Sequence, residues 1–241
     1  MCLRNSTMTW VAGVDGCRGG WVVVLMQMQS TGRSAWELRL CSSFGEVLDL
    51  DLKPAAIAID IPIGLLDSAQ SGGRDCDRAA RSLLGRRASS VFSPPIRKFL
   101  YAKSYEKVQG MSRQAFGILK KIREVDGLMN PQRQSVVYEA HPELAFFSLA
   151  GHPMRFNKKK VAGREERLQV LERVPNIMVR ECAKYLRNDL TGFTRGQVAP
   201  DDLLDACVLA WTAQGVVKNK ALRVPGSPPV DRKGLRMEIW Y

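Results

Sequence analysis

Five carboxylates stand nearly alone in apolar surroundings, and their chemistry suits a divalent cation. Asp15 is the only charged residue between Arg4 and Arg18, and Asp60 the only one between Lys53 and Asp67. Glu139 closes the apolar run Val136-Val137-Tyr138. Asp205 is the only charged residue from Leu203 to Val217, with Asp202 just before it. A carboxylate at the end of a buried strand is costly unless something compensates it. A hard cation such as Mg²⁺ or Mn²⁺ does so, because it prefers oxygen ligands and tolerates acids packed together. Asp202 and Asp205 are three apart, which puts both on one face of a helix. Each acid also has a structural reading. Asp15-Gly16 is a hairpin signal, and Asp60 before Ile61-Pro62 can cap a turn. Asp201 and Asp202 suit the first turn of a helix, and Glu139 can pair with an arginine. Asp205 lies beyond that first turn, among apolar neighbours.

The elements that must position these acids are legible from periodicity. Trp10 to Val14, Trp21 to Gln27, Trp36 to Cys41 and Ala55 to Ile59 read as strands, the first two joined by the glycine-rich turn Gly16 to Gly20. Ser42 to Leu50 reads as a short helix capped by Ser42 or Ser43. Arg74 to Leu84 and Ser112 to Leu128 read as helices, Ser89 to Pro95 as a loop, and Ser135 to Glu139 as a strand. Helices follow from His141-Pro142, from Arg164 to Val174, and from Asp201 to Val217. Leu235 to Trp240 reads as a last short strand. Together these predict one α/β domain over residues 1–241: a mixed sheet flanked by helices, with a basic helical insertion over about residues 66–134. Strands one and four can then lie side by side, with Asp15 and Asp60 at one edge.

Composition narrows the function classes. Hydrophobic residues make up 45% of the 241, enough for a core. The longest apolar stretches fall far short of the ~18 residues of a membrane span. The polar stretch Met1 to Thr9 lacks the apolar run of a secretory signal. Six cysteines without a C-x-x-C pair and two histidines speak against a structural zinc site. Cysteines inside apolar runs fit a reducing compartment, and the chain reads as soluble and cytoplasmic. A net charge of +12 points to a polyanionic partner, with nucleic acid the commonest.

The runs Val11-Ala12-Gly13-Val14-Asp15-Gly16-Cys17-Arg18-Gly19-Gly20-Trp21, Ile59-Asp60-Ile61-Pro62-Ile63-Gly64, Tyr138-Glu139-Ala140-His141-Pro142-Glu143 and Asp201-Asp202-Leu203-Leu204-Asp205-Ala206 are informative together. With Arg87-Ala88-Ser89-Ser90-Val91-Phe92 and Lys120-Lys121-Ile122, they resemble a domain-of-unknown-function family of predicted ribonuclease H-like nucleases. The resemblance spans nearly the whole chain and implies a ribonuclease H-like fold. Asp15, Asp60 and Asp205 match the metal-binding acids of that superfamily, with Asp202 beside Asp205 as in Holliday-junction resolvases. Glu139 matches a motif of the narrower family, as a fourth ligand or as an acid supporting the others. The resemblance implies two-metal phosphodiester hydrolysis with Mg²⁺ or Mn²⁺, in which Asp15 bridges the ions and Asp15, Asp60, Glu139, Asp202 and Asp205 are the catalytic set.

The basic insertion is a candidate phosphate track. Arg78 and Arg81 share a helix face with Arg74, and Arg87, Ser89 and Ser90 follow. With Arg18 in the glycine turn they offer donors to phosphate oxygens. A solvated helix face explains the same pattern. Lys158-Lys159-Lys160 reads as a plain surface run. His141 and His152 precede prolines and read as structural, although His141 is two residues from Glu139. Two other functions stay open: an actin-like phosphotransferase binding ATP, and a non-catalytic nucleic-acid-binding protein. Against the first, 241 residues are short for two such domains, and no G-x-x-x-x-G-K-[ST] loop occurs. The oligomeric state is open, with a homodimer as one option.

Overall fold

The computed structural model describes residues 9–28, 35–108, 111–188 and 191–241. Cys2 and the polar N-terminal stretch before Thr9 lie outside the described residues. The strands are β1 (Thr9–Cys17), β2 (Gly20–Met28), β3 (Trp36–Cys41), β4 (Ala56–Ile59), β5 (Val137–Glu139), β6 (Arg223–Val224) and β7 (Ile239–Trp240). The helices are α1 (Phe44–Leu48), α2 (Asp75–Leu84), α3 (Arg113–Gly117), α4 (Leu119–Leu128), α5 (Pro142–Ala150), α6 (Val161–Arg173), α7 (Ile177–Arg187) and α8 (Pro200–Val217).

β1 to β5 form one sheet in the order β3-β2-β1-β4-β5, with β1, β2 and β3 antiparallel and β4 and β5 parallel to β1. This is the mixed sheet with flanking helices that the sequence predicts. β1 and β2 run further than periodicity suggests. Gly16 and Cys17 pair with Trp21 and Gly20, so the turn shrinks to Arg18-Gly19. Gly20, at φ +129°, permits this, because a Cβ there would lie 2.1 Å from the Cys41 carbonyl oxygen.

Strand alternation sorts the core into two layers. Val11, Val22, Val24, Ala56 and Ala58 face α8, which α5, α6 and α7 cover from outside. Ala12, Val14, Trp21, Val23, Ile57, Ile59 and Val137 face the other way, against Phe44 and Val47 of α1 and Leu119, Ile122 and Val125 of α4. α8 is buried nearly all round, which is why its apolar residues show no single stripe. Gly13 sets its distance from the sheet. A Cβ on Gly13 would stand 2.0 Å from the Ala206 carbonyl oxygen and 2.1 Å from the Ala210 nitrogen.

The insertion joins the core through α4, while α2 packs on α5 and on the β6–β7 pair. The helix expected over Ser112 to Leu128 is two helices, broken at Gly117-Ile118. Glycine lowers helix propensity at the break, and the Ser112 hydroxyl caps α3 by accepting from the Ala115 N–H at 3.1 Å. α7 is an element that reading by segments passes over. Its signals are present: the Asn176 side chain accepts from the Met178 and Val179 N–H groups, and Met178, Val179, Cys182, Ala183 and Leu186 form the buried face. The expected last strand narrows to Ile239–Trp240, which pairs with β6, itself not anticipated. No helix of the described residues is long and apolar enough to cross a membrane.

Candidate metal centre and its cleft

Parallel pairing of β1 with β4 ends at Val14 and Ile59, and the Asp60 N–H donates to the Val14 carbonyl oxygen at 3.1 Å. Asp15 and Asp60 therefore occupy neighbouring positions just past this pairing. Asp15, in step with Val11 and Gly13, faces α8. Asp202 lies in the first turn of α8 and Asp205 one turn on. The close approach at Gly13 brings that end of the helix over Asp15. One carboxylate each from β1 and the end of β4, and two from α8, thus meet on one side of the sheet.

The electrostatics record the crowding. Asp15 is 7% exposed, and its Oδ1 accepts from the Gly16 N–H at 2.7 Å. Burial holds its carboxyl well above the usual range, with Asp205, Asp60 and Asp202 adding to the rise and Lys158 opposing it. Asp205 is 1% exposed and pushed up to about 6, chiefly by burial, against the pull of Lys158. Burial also raises Asp202, while the bond its Oδ2 accepts from the Ala199 N–H, at 3.0 Å, works the other way. Asp202 therefore caps its helix and still acts on Asp15.

Lys158 is the residue that sequence reasoning misplaced. It is no plain surface lysine: its Nζ donates to Asp205 Oδ2, and its charge also acts on Asp15 and Asp60. Nothing in a run of three lysines singles out the first, because its partner is 47 residues away. Asp205 Oδ1, by contrast, is buried without a hydrogen-bond partner. Among the described residues no three His, Cys, Asp or Glu side chains form a ready-made metal cage. The acids share the Lys158 ammonium instead.

Glu139 stands apart. It pairs in register with Ile59, and its strand neighbour Val137 belongs to the layer opposite α8. Both its oxygens are bound: Oε2 accepts from Arg74 Nη1 at 2.7 Å and from the Ile63 N–H at 2.6 Å, and Oε1 accepts from Arg74 Nη2 at 2.5 Å. Burial pushes its carboxyl up to about 7 despite the guanidinium. Arg74, 1% exposed, also pairs with Asp77 at 2.7 Å. Of the two readings of Glu139 from sequence, the geometry matches the arginine partner.

Asp60 and Asp205 line a cleft of about 520 Å³ whose wall also carries Arg87, Ser89, Ser90 and His141. Arg87 is held there by Glu143, whose Oε1 accepts from it at 3.0 Å and also from the buried Arg167. His141 Nε2 lies 3.3 Å from the Ser90 carbonyl oxygen, and its Nδ1 is buried without a partner. Arg78 and Arg81 are not in this wall. Arg78 donates to the Gly73 carbonyl and pairs with Asp75, and Arg81 donates to the Val91 and Gly72 carbonyls at 2.8 and 2.6 Å. They brace their own loop. Arg18 is exposed at the tip of the β1–β2 hairpin.

Mixed sheet, flanking helices and acids at the sheet edge make this an α/β protein with a candidate metal centre. The family described as a protein of unknown function, DUF429, matches residues 13–230, and the chain belongs to it. No curated protein matches it. Among solved structures it is similar to Thermus thermophilus RuvC, at 14% identity and a TM-score of 0.37, covering 88% of this chain and 98% of that one. It is also similar to T. thermophilus RuvC in complex with a Holliday junction substrate, at 15% identity and a TM-score of 0.33, covering 88% and 97%.

Proposed function

We propose that the chain is a divalent-metal-dependent nuclease, built as one domain, that hydrolyses phosphodiester bonds of nucleic acid with Mg²⁺ or Mn²⁺. The observation carrying this reading is the convergence of Asp15, Asp60, Asp202 and Asp205 from β1, β4 and α8. Their donors are hard oxygens, as such cations require, and the orphaned Asp205 Oδ1 is an open ligand position. The residues fit the group, provided the carboxylates close in around it.

Asp15, Asp60 and Asp205 would hold the metal, with Asp202 beside them. When bound, a divalent ion supplies an activated water and stabilises charge on the leaving oxygen. Arg87, Ser89 and Ser90 line the same cleft as Asp60 and Asp205 and would orient the phosphate. Arg87 is paired there with Glu143 at 3.0 Å. The +12 charge supports a nucleic-acid partner and drives non-specific approach.

Two measurements test the reading. Mn²⁺ added to the metal-free protein raises the melting midpoint, since a ligand that binds only the folded state stabilises it. Single-stranded, duplex, hybrid and branched oligonucleotides are then incubated with wild type and Asp15→Asn. Metal-dependent cleavage lost in the variant is expected. No midpoint shift up to millimolar metal, or cleavage that survives Asp15→Asn, sinks it.

A further inference from the structure

We propose that the Lys158 ammonium is a resident cation of the acid cluster, so that the site takes one divalent ion where the family resemblance implies two. This rests on the acids being a metal site at all, and the test below separates the two ideas. The ammonium donates to Asp205 Oδ2. A second divalent ion would have to share Asp205 with it, and like charges at contact distance in a poorly hydrated pocket repel strongly.

The loop that carries Lys158 is held so that the ammonium reaches Asp205 from a fixed base. The Arg155 and Phe156 N–H groups donate to the Glu166 carboxylate at 2.9 and 3.0 Å. Arg167, itself 1% exposed and paired with Glu143, donates to the Phe156 carbonyl at 3.2 Å. Gly163, in the first turn of α6, presses on the same loop, and a Cβ there would lie 2.0 Å from the Asn157 carbonyl oxygen and 3.1 Å from the Lys158 nitrogen. These contacts hold the backbone that leads into the lysine. Asp205 Oδ1 stays open beside it: buried, without a donor, on a residue that lines the cleft with Asp60.

The experiment counts ions. Metal-free full-length protein is titrated with Mn²⁺, and bound ions per chain are measured by calorimetry and by loss of the free-Mn²⁺ paramagnetic resonance signal. Wild type is expected to bind one ion, and Lys158→Met two. Lys158→Gln, which keeps a donor to Asp205 without the charge, serves if the methionine variant does not fold, and it too should bind two. Two ions in wild type overturn the proposal, as does one ion in wild type and in a folded variant alike. No ion in wild type refutes the metal reading itself, whatever Lys158 does.

Discussion

Replacing Gly13 with alanine should break the acid cluster without touching any acid. The new Cβ would meet backbone, the Ala206 carbonyl oxygen at 2.0 Å and the Ala210 nitrogen at 2.1 Å, where ordinary contact begins near 3.4 Å. Strand and helix would have to part by about 1.4 Å, the difference between those distances. No flexible side chain can give way, and α8 is boxed in by α5, α6 and α7 on its far side. Overpacking of this kind costs about 3 kcal/mol, the upper end of its usual range. For a chain of this size each kcal/mol moves the midpoint by about 2–4 °C, so a fall of about 6–12 °C is expected. The parting also carries Asp202 and Asp205 away from Asp15, so the Mn²⁺-induced rise should shrink in whatever protein folds. Thermal melting followed by circular dichroism, with and without Mn²⁺, reads both effects. A midpoint within about 1 °C of wild type with a full Mn²⁺ shift would show that helix and strand are not locked at Gly13.

Two further predictions separate the acids by role. Asp205 has a carboxyl raised from 3.8 to about 6 by burial. The folded state thus holds its proton more tightly than the unfolded chain, and the associated stability is present below the unfolded value and lost as pH rises through the folded one. Metal-free wild type should lose stability from about pH 4 to 6 more steeply than Asp205→Asn, and superimposable melting-versus-pH curves would contradict this. Glu139→Ala leaves Arg74 buried with Asp77 as its remaining acid, and breaking a buried pair costs about 3–5 kcal/mol. The variant should melt far lower yet keep its Mn²⁺ shift, whereas unchanged stability with loss of the shift would return Glu139 to the metal ligands.

Most strands and helices were legible because each writes its own local signal. Continuous apolar runs marked β1 and β2, and Pro200 marked the start of α8 within a residue. The isolation of Asp15 and Asp205 among apolar neighbours was equally local, and burial with mutual repulsion is its structural counterpart. α7 was legible in principle, since Asn176 and the spacing behind it form a cap and a buried face.

Tertiary structure decided the rest, because the deciding contacts join residues far apart in the chain. Glu139 has the same sequence character as Asp60, yet strand register sets it in line with Ile59 and Val137, and Arg74 takes its charge. Arg78 and Arg81 share the face expected of a phosphate track, and the segments flanking their helix, at Gly72-Gly73 and Val91 to Ser93, accept from them instead. Lys158 lay inside a run of like charges, and only the clamping of its loop against α6 delivers it to Asp205. The sequence by itself determined which acids had to be compensated. The packing of α8 on β1 and the path of one loop determined what stands beside them.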